Sequence, residues 1–216
     1  MGEAELFEGW EWWLEDAYLV HSPDEPEPWF KPKYLKQTEE DEPLLTTEQE
    51  IALMNEQVQS TEGFDIDFGM FRCLFSYHPV DFNAKEFVEE PETNVDLLNR
   101  LCHKSLDDYN QENNTEYEFV KPLYANFHMS AGVMFLITFQ AMDPADDDNL
   151  TKEFQARVHY SFFDESNFVF CRPKSPVQQV STDEDSLVSI DEDSVVSTDE
   201  DSVGDAEKDP EKPRLE

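Results

Sequence analysis

Val95-Asp-Leu-Leu-Asn-Arg-Leu-Cys-His-Lys-Ser-Leu-Asp-Asp-Tyr109-Asn110, with the strand-like segments that follow it as far as Lys174, decides how this chain folds. Val95, Leu98, Leu101, Cys102, Leu106 and Tyr109 recur at helical offsets, so the stretch predicts one amphipathic helix with a single apolar stripe. Thr93 with Asp96 three residues later is a start signal, and Asn110 with the polar residues after it is a stop. Beyond it, Phe135, Ile137, Phe139 and Ala141 alternate with Met134, Leu136, Thr138 and Gln140. Phe154, Ala156, Val158 and Tyr160 alternate in the same way with Glu153, Gln155, Arg157 and His159. Alternation of this kind predicts half-buried antiparallel strands, with one face left for the helix to cover. The expected class is α+β: one helix packed on a four- to five-stranded antiparallel sheet.

Working outward, Thr46-Thr47-Glu48-Gln49 opens a second expected helix with Ile51, Leu53, Met54 and Val58 on its apolar face. The aromatic run from Phe71 to Tyr77 reads as an edge or first strand ahead of the main helix. Residues 1–44 read as an aromatic and acidic N-terminal extension carrying Phe7, Trp10, Trp12, Trp13, Tyr18, Trp29, Phe30 and Tyr34. Two readings stand open for these rings. They fold back and extend the core, or they form a short helix that docks into a partner's groove. Residues 45–175 form the domain, with 93–174 as its core.

After Pro173 the character changes. Val180 to Leu187, Val188 to Val195 and Val196 to Val203 are three tandem copies of one eight-residue acidic unit. Such a unit cannot bury enough apolar surface to offset the entropy of ordering it, so 176–216 is expected to be a disordered tail. Ser181, Thr182, Ser189, Ser197 and Thr198 each have an acid three residues downstream, the pattern acidophilic casein-kinase-type enzymes read. Leu187, Val188 and Ile190 precede acids and look like a motif that adds a strand to a ubiquitin-like modifier. The plainer alternative is a solubilising tail whose valines space the charges.

A formal net charge of -36 over 216 residues repels phosphate, so nucleic acid and anionic membrane are poor partners and basic proteins better ones. There is no signal-peptide pattern at Met1 and no run approaching roughly 20 apolar residues. The three cysteines are too few and too scattered for a disulfide framework, which predicts a cytoplasmic or nuclear protein. The five histidines show no His-x-x-x-His spacing, and no Cys-x-x-Cys pair occurs. With no phosphate loop or nucleophile elbow among six glycines, the expectation is a non-enzyme with no cofactor and no metal.

Leu106-Asp-Asp-Tyr109-Asn110 resembles the end of the cystatin helix, and Glu118-Phe-Val-Lys121 the strand after it. Ser60 to Asp67, Ile137 to Pro144 and Phe154 to Val158 are similar to a set of plant cystatin-related proteins found mainly in crucifers. The resemblance covers 57–174 and implies a cystatin-like fold. Cystatins wedge into papain-type cysteine proteases with a glycine-containing trunk, a Gln-x-Val-x-Gly hairpin and a second hairpin bearing Pro-Trp. The first hairpin falls on His128-Met129-Ser130-Ala131-Gly132, where His128 replaces Gln and Ser130 replaces Val. Losing the valine methyls at a contact would weaken binding by about 1 to 2 kcal/mol. The second hairpin falls near Phe162 and Phe163 and has no Pro-Trp, while neither Gly63 nor Gly69 fits the trunk. The resemblance thus implies a protein-binding relative, expected as a monomer, with degenerate inhibitory hairpins. Its partner would be a papain-type protease, a basic protein or the ubiquitin-like modifier. The alternative is a working inhibitor.

Overall fold

The computed structural model describes residues 16–26, 31–38, 40, 44–144, 150–163 and 165–175. The chain divides after Pro176 into two units. The second, 177–216, lies outside the described residues, and with it the serines, threonines and apolar residues singled out in the tail.

The first unit is α+β. Its elements run β1 (Leu19–His21), α1 (Thr47–Thr61), β2 (Leu74–Phe75), β3 (His78–Pro79), α2 (Asn94–Asn113), β4 (Glu118–Met129), β5 (Val133–Met142), β6 (Thr151–Tyr160) and β7 (Asn167–Pro173). Strands β3 to β7 form one antiparallel sheet in sequence order, and β1 pairs with β2 apart from it.

Both helices begin where local chemistry starts them. At α2 the Asp96 carboxylate accepts from the Thr93 backbone N–H at 2.8 Å, and at α1 Thr46 and Gln49 cap each other reciprocally. Helix α2 buries Leu97, Leu98, Leu101, Cys102 and Leu106. Leu97 is buried and Val95 only half-buried, so the stripe is turned slightly from the expected one. It packs on Phe135, Ile137, Phe139 and Ala141 of β5 and Phe154, Ala156 and Val158 of β6. Each large apolar side chain buried there contributes about 1.5–3 kcal/mol. That outweighs a surface pair such as Lys85–Glu90, worth about 0–1 kcal/mol.

The expectation that only one face of the sheet is covered is overturned. Met134 and Leu136, on the opposite face of β5, are also buried, against Met54, Val58, Phe64, Phe71 and Tyr77. Helix α1 and the segment after it form this second layer. The aromatic run Phe71 to Tyr77 is accordingly not an edge strand of the main sheet. Leu74–Phe75 pairs with β1, and the sheet edge is the short β3 that follows. Of the N-terminal rings, Tyr34 folds back. Its hydroxyl is hydrogen-bonded to His78 Nδ1 at 2.6 Å and its ring meets Phe68 edge-on. Tyr18 is exposed, whereas Phe7, Trp10, Trp12, Trp13, Trp29 and Phe30 lie outside the described residues.

The second layer is polar as well as apolar. Glu50 is fully buried and its Oε2 accepts the backbone N–H groups of Arg72 and Cys73 at 2.9 and 2.7 Å. Asn126 donates to the carbonyls of Gly63 and Phe64, both at 2.9 Å, and Arg157 donates to the Glu62 carbonyl at 2.9 Å. Gly63 is required here. Its φ is +79°, and a Cβ would sit 2.8 Å from both Leu136 Cδ1 and Tyr77 Cε1.

Candidate functional site

The register places both candidate hairpins at one end of the sheet. Met129 pairs with Val133 across the β4–β5 turn, and Val133 pairs with Tyr160 at the end of β6. The β4–β5 and β6–β7 connections therefore emerge side by side. They are joined by a 2.6 Å hydrogen bond between His159 Nε2 and the Ser130 carbonyl.

The first turn is tight. Ser130 N–H donates to the Gly132 carbonyl at 3.0 Å, with Ala131 at φ 46° and Gly132 at φ 148°. A Cβ on Gly132 would lie 2.7 Å from the Tyr160 carbonyl oxygen, so the position excludes any side chain. Ala131 and Met129 are exposed, Met129 at 58%. In the second connection Phe162 is 49% exposed and Phe163 96%. Phe162 leans edge-on against Tyr160, and Tyr160 in turn packs on the core ring of Phe135. The end of the sheet is thus an apolar surface seated on a rigid base.

His128 does not belong to that surface. It is 1% exposed, on the face toward the second layer, with its ring 4.7 Å from that of Tyr77. Alternation along β4 is the reason, because Met129 and His128 must point to opposite faces. Of the seven hairpin residues singled out by sequence, Met129, Ser130, Ala131, Gly132, Phe162 and Phe163 meet at this end and His128 lies beneath it. Sequence reasoning missed His159 and Tyr160, the residues that tie the two connections together. Their place directly opposite Met134 and Val133 follows only from the register.

The three thiols are poor nucleophiles. Burial, then the Glu50 carboxylate beside it, pushes Cys73 up to about 12. Burial, then Asp108 and Glu112, pushes Cys171 up to about 12, and burial holds Cys102 well above the ordinary thiol value. A Cys–His pair needs a thiolate, and at neutral pH these environments oppose it. Among the described residues no group of three or more His, Cys, Asp or Glu side chains is placed to hold a metal ion, and no helix is long and apolar enough to cross a membrane.

A groove of about 560 Å³ runs beside β4 between Asp65–Phe68 and Pro79–Phe82. On its wall Tyr124 donates to Asp65, and Lys174 bonds both, at 3.0 Å to Asp65 and 2.7 Å to Tyr124. These three polar groups are already paired with one another.

No family model matches this chain, and neither does any curated protein.

Proposed function

We propose that this chain is a non-enzymatic, intracellular relative of the cystatins that acts by binding protein, with hairpins degenerate for protease inhibition. The support is the order of elements, a short edge strand, a helix and four strands in meander, with two hairpins at one end. The observation that carries the second half of the reading is the packing of the Tyr77 ring against that of His128. A cystatin wedge needs the chain ahead of its first strand to run free beside the hairpins. Here that chain turns under the sheet, and its Tyr77, 1% exposed, covers the Gln-equivalent position, which strand alternation already turns inward. Gly63, on that chain, is packed against Leu136 and Tyr77. The position that replaces Gln is therefore committed to the core, and the remaining apolar surface is Met129, Phe162 and Phe163.

A working inhibitor is the second reading, favoured by the 96% exposure of Phe163 at the hairpin end. Titration against papain separates the two. The first reading expects no inhibition at sub-micromolar concentration. Sub-micromolar inhibition lost in Phe163→Asp would replace it with the second. Gly132→Arg serves as a further probe only where the variant still folds, since Gly132 has no room for a Cβ. Comparing what co-purifies with the full chain and with one ending at Lys174 tests whether the tail carries binding.

A further inference from the structure

Strand β7 closes the sheet on one side, and among the described residues nothing pairs with its outer edge. Its backbone edge faces a groove of about 440 Å³ whose other wall is the C-terminal half of α2. Ser105 and Cys171 form the floor, Phe168 and Tyr109 are apolar flanks, and Asp108 and Glu112 line the helix side. Ser105 is 2% exposed, yet its Oγ has no hydrogen-bond partner among the described residues. Buried polar atoms are nearly always satisfied, so an unpaired hydroxyl lining a groove points to a missing partner.

We infer that this groove receives an extended, basic peptide segment, which adds to β7 as a sixth strand beside α2. The backbone edge supplies hydrogen bonds to any extended chain. The sign of charge selects among chains. Lys104 of α2, beside the groove, shows how its acids and rings hold a cation, with its Nζ 6.0 Å from the centre of the Phe168 ring and 2.5 Å from Asp108 Oδ1. Glu112, one helical turn on and exposed, offers the same to a cation arriving from outside. A second copy of the chain is the poorer occupant, because each copy carries a net charge of -36. The inference is independent of the hairpin end and of its protease-related reading.

The test uses the full chain and a short fluorescein-labelled peptide of alternating Arg and Val. Fluorescence anisotropy should report binding that weakens with salt, and Glu112→Lys should weaken it about tenfold. Hydrogen exchange of the backbone amides from Asn167 to Arg172 should slow when the peptide is added. Methylating alternate peptide amides, which keeps charge but removes strand pairing, should abolish that protection. Equal protection by spermine or by the methylated peptide would overturn the inference, as would binding unaffected by Glu112→Lys. A chain that sediments as a dimer through β7 and leaves the peptide unbound would overturn it too.

Discussion

The two faces of the sheet are filled by different chemistry. Against α2 the contact is almost wholly apolar: Leu98, Leu101 and Leu106 meet Phe135, Phe139 and Phe154. Against α1 the apolar contact of Met54, Val58, Phe64 and Tyr77 is interrupted by buried Glu50, Asn126, Gln155 and Arg157. Apolar packing depends on volume and accepts any occupant of suitable shape. A buried polar group depends on its named partner and leaves that partner stranded when it goes. The first face should therefore tolerate shape-conserving change and the second should not.

The largest effect is expected where volume alone is removed. Phe135→Ala, at a fully buried ring on the α2 face, should lower the unfolding free energy by about 3–5 kcal/mol in denaturant titration. The contrast itself is tested by two near-isosteric changes. Glu50→Gln keeps the shape but weakens two buried hydrogen bonds to a charged acceptor, and should cost about 1.5–3 kcal/mol. Leu98→Met on the opposite face should cost less than about 1.5 kcal/mol. Equal costs for the two would break the comparison.

A smaller effect depends on pH. His78, at the sheet edge and hydrogen-bonded to Tyr34, has its imidazole held below the ordinary value of 6.5 by burial. The unfolded chain then binds a proton that the folded one resists. This contribution to stability is complete above pH 6.5 and is lost as pH falls below it. The pH slope of melting temperature between neutral and mildly acid solution should be shallower in His78→Asn than in the parent. The smallest effect belongs to the hairpin tip. Phe163→Ser, at a 96% exposed side chain, should change stability by no more than about 0.5 kcal/mol. A large loss there would mean that the tip is part of the core.

The face against α2 was legible because its signals are local. The Thr93–Asp96 cap and the leucine stripe set the helix, and alternation set the strands. The second layer was not, since its partners are far apart in sequence and the run from Phe64 to Tyr77 has neither helical nor strand period. One signal was available. Val133 to Ile137 is apolar at five consecutive positions, and a strand apolar on both sides is a strand covered on both sides. The structure places Gly132, Phe162 and Phe163 on two neighbouring turns, which the hairpin spacing alone could not show. His128 lies beneath them because the parity of a strand assigns neighbouring side chains to opposite faces, which a motif read as one surface does not show.

The bonds that pin the second layer span 63 residues from Gly63 to Asn126 and 95 from Glu62 to Arg157, while β4 to β7 join neighbour to neighbour. Closing long loops is slow because entropy is lost before contacts repay it. The meander and α2 are thus set to assemble first, with Arg157 still in water, and the N-terminal half arrives afterwards as a cover. Ribosomal synthesis delivers the parts in the opposite order, so the cover emerges first and must wait for the surface it is shaped to close.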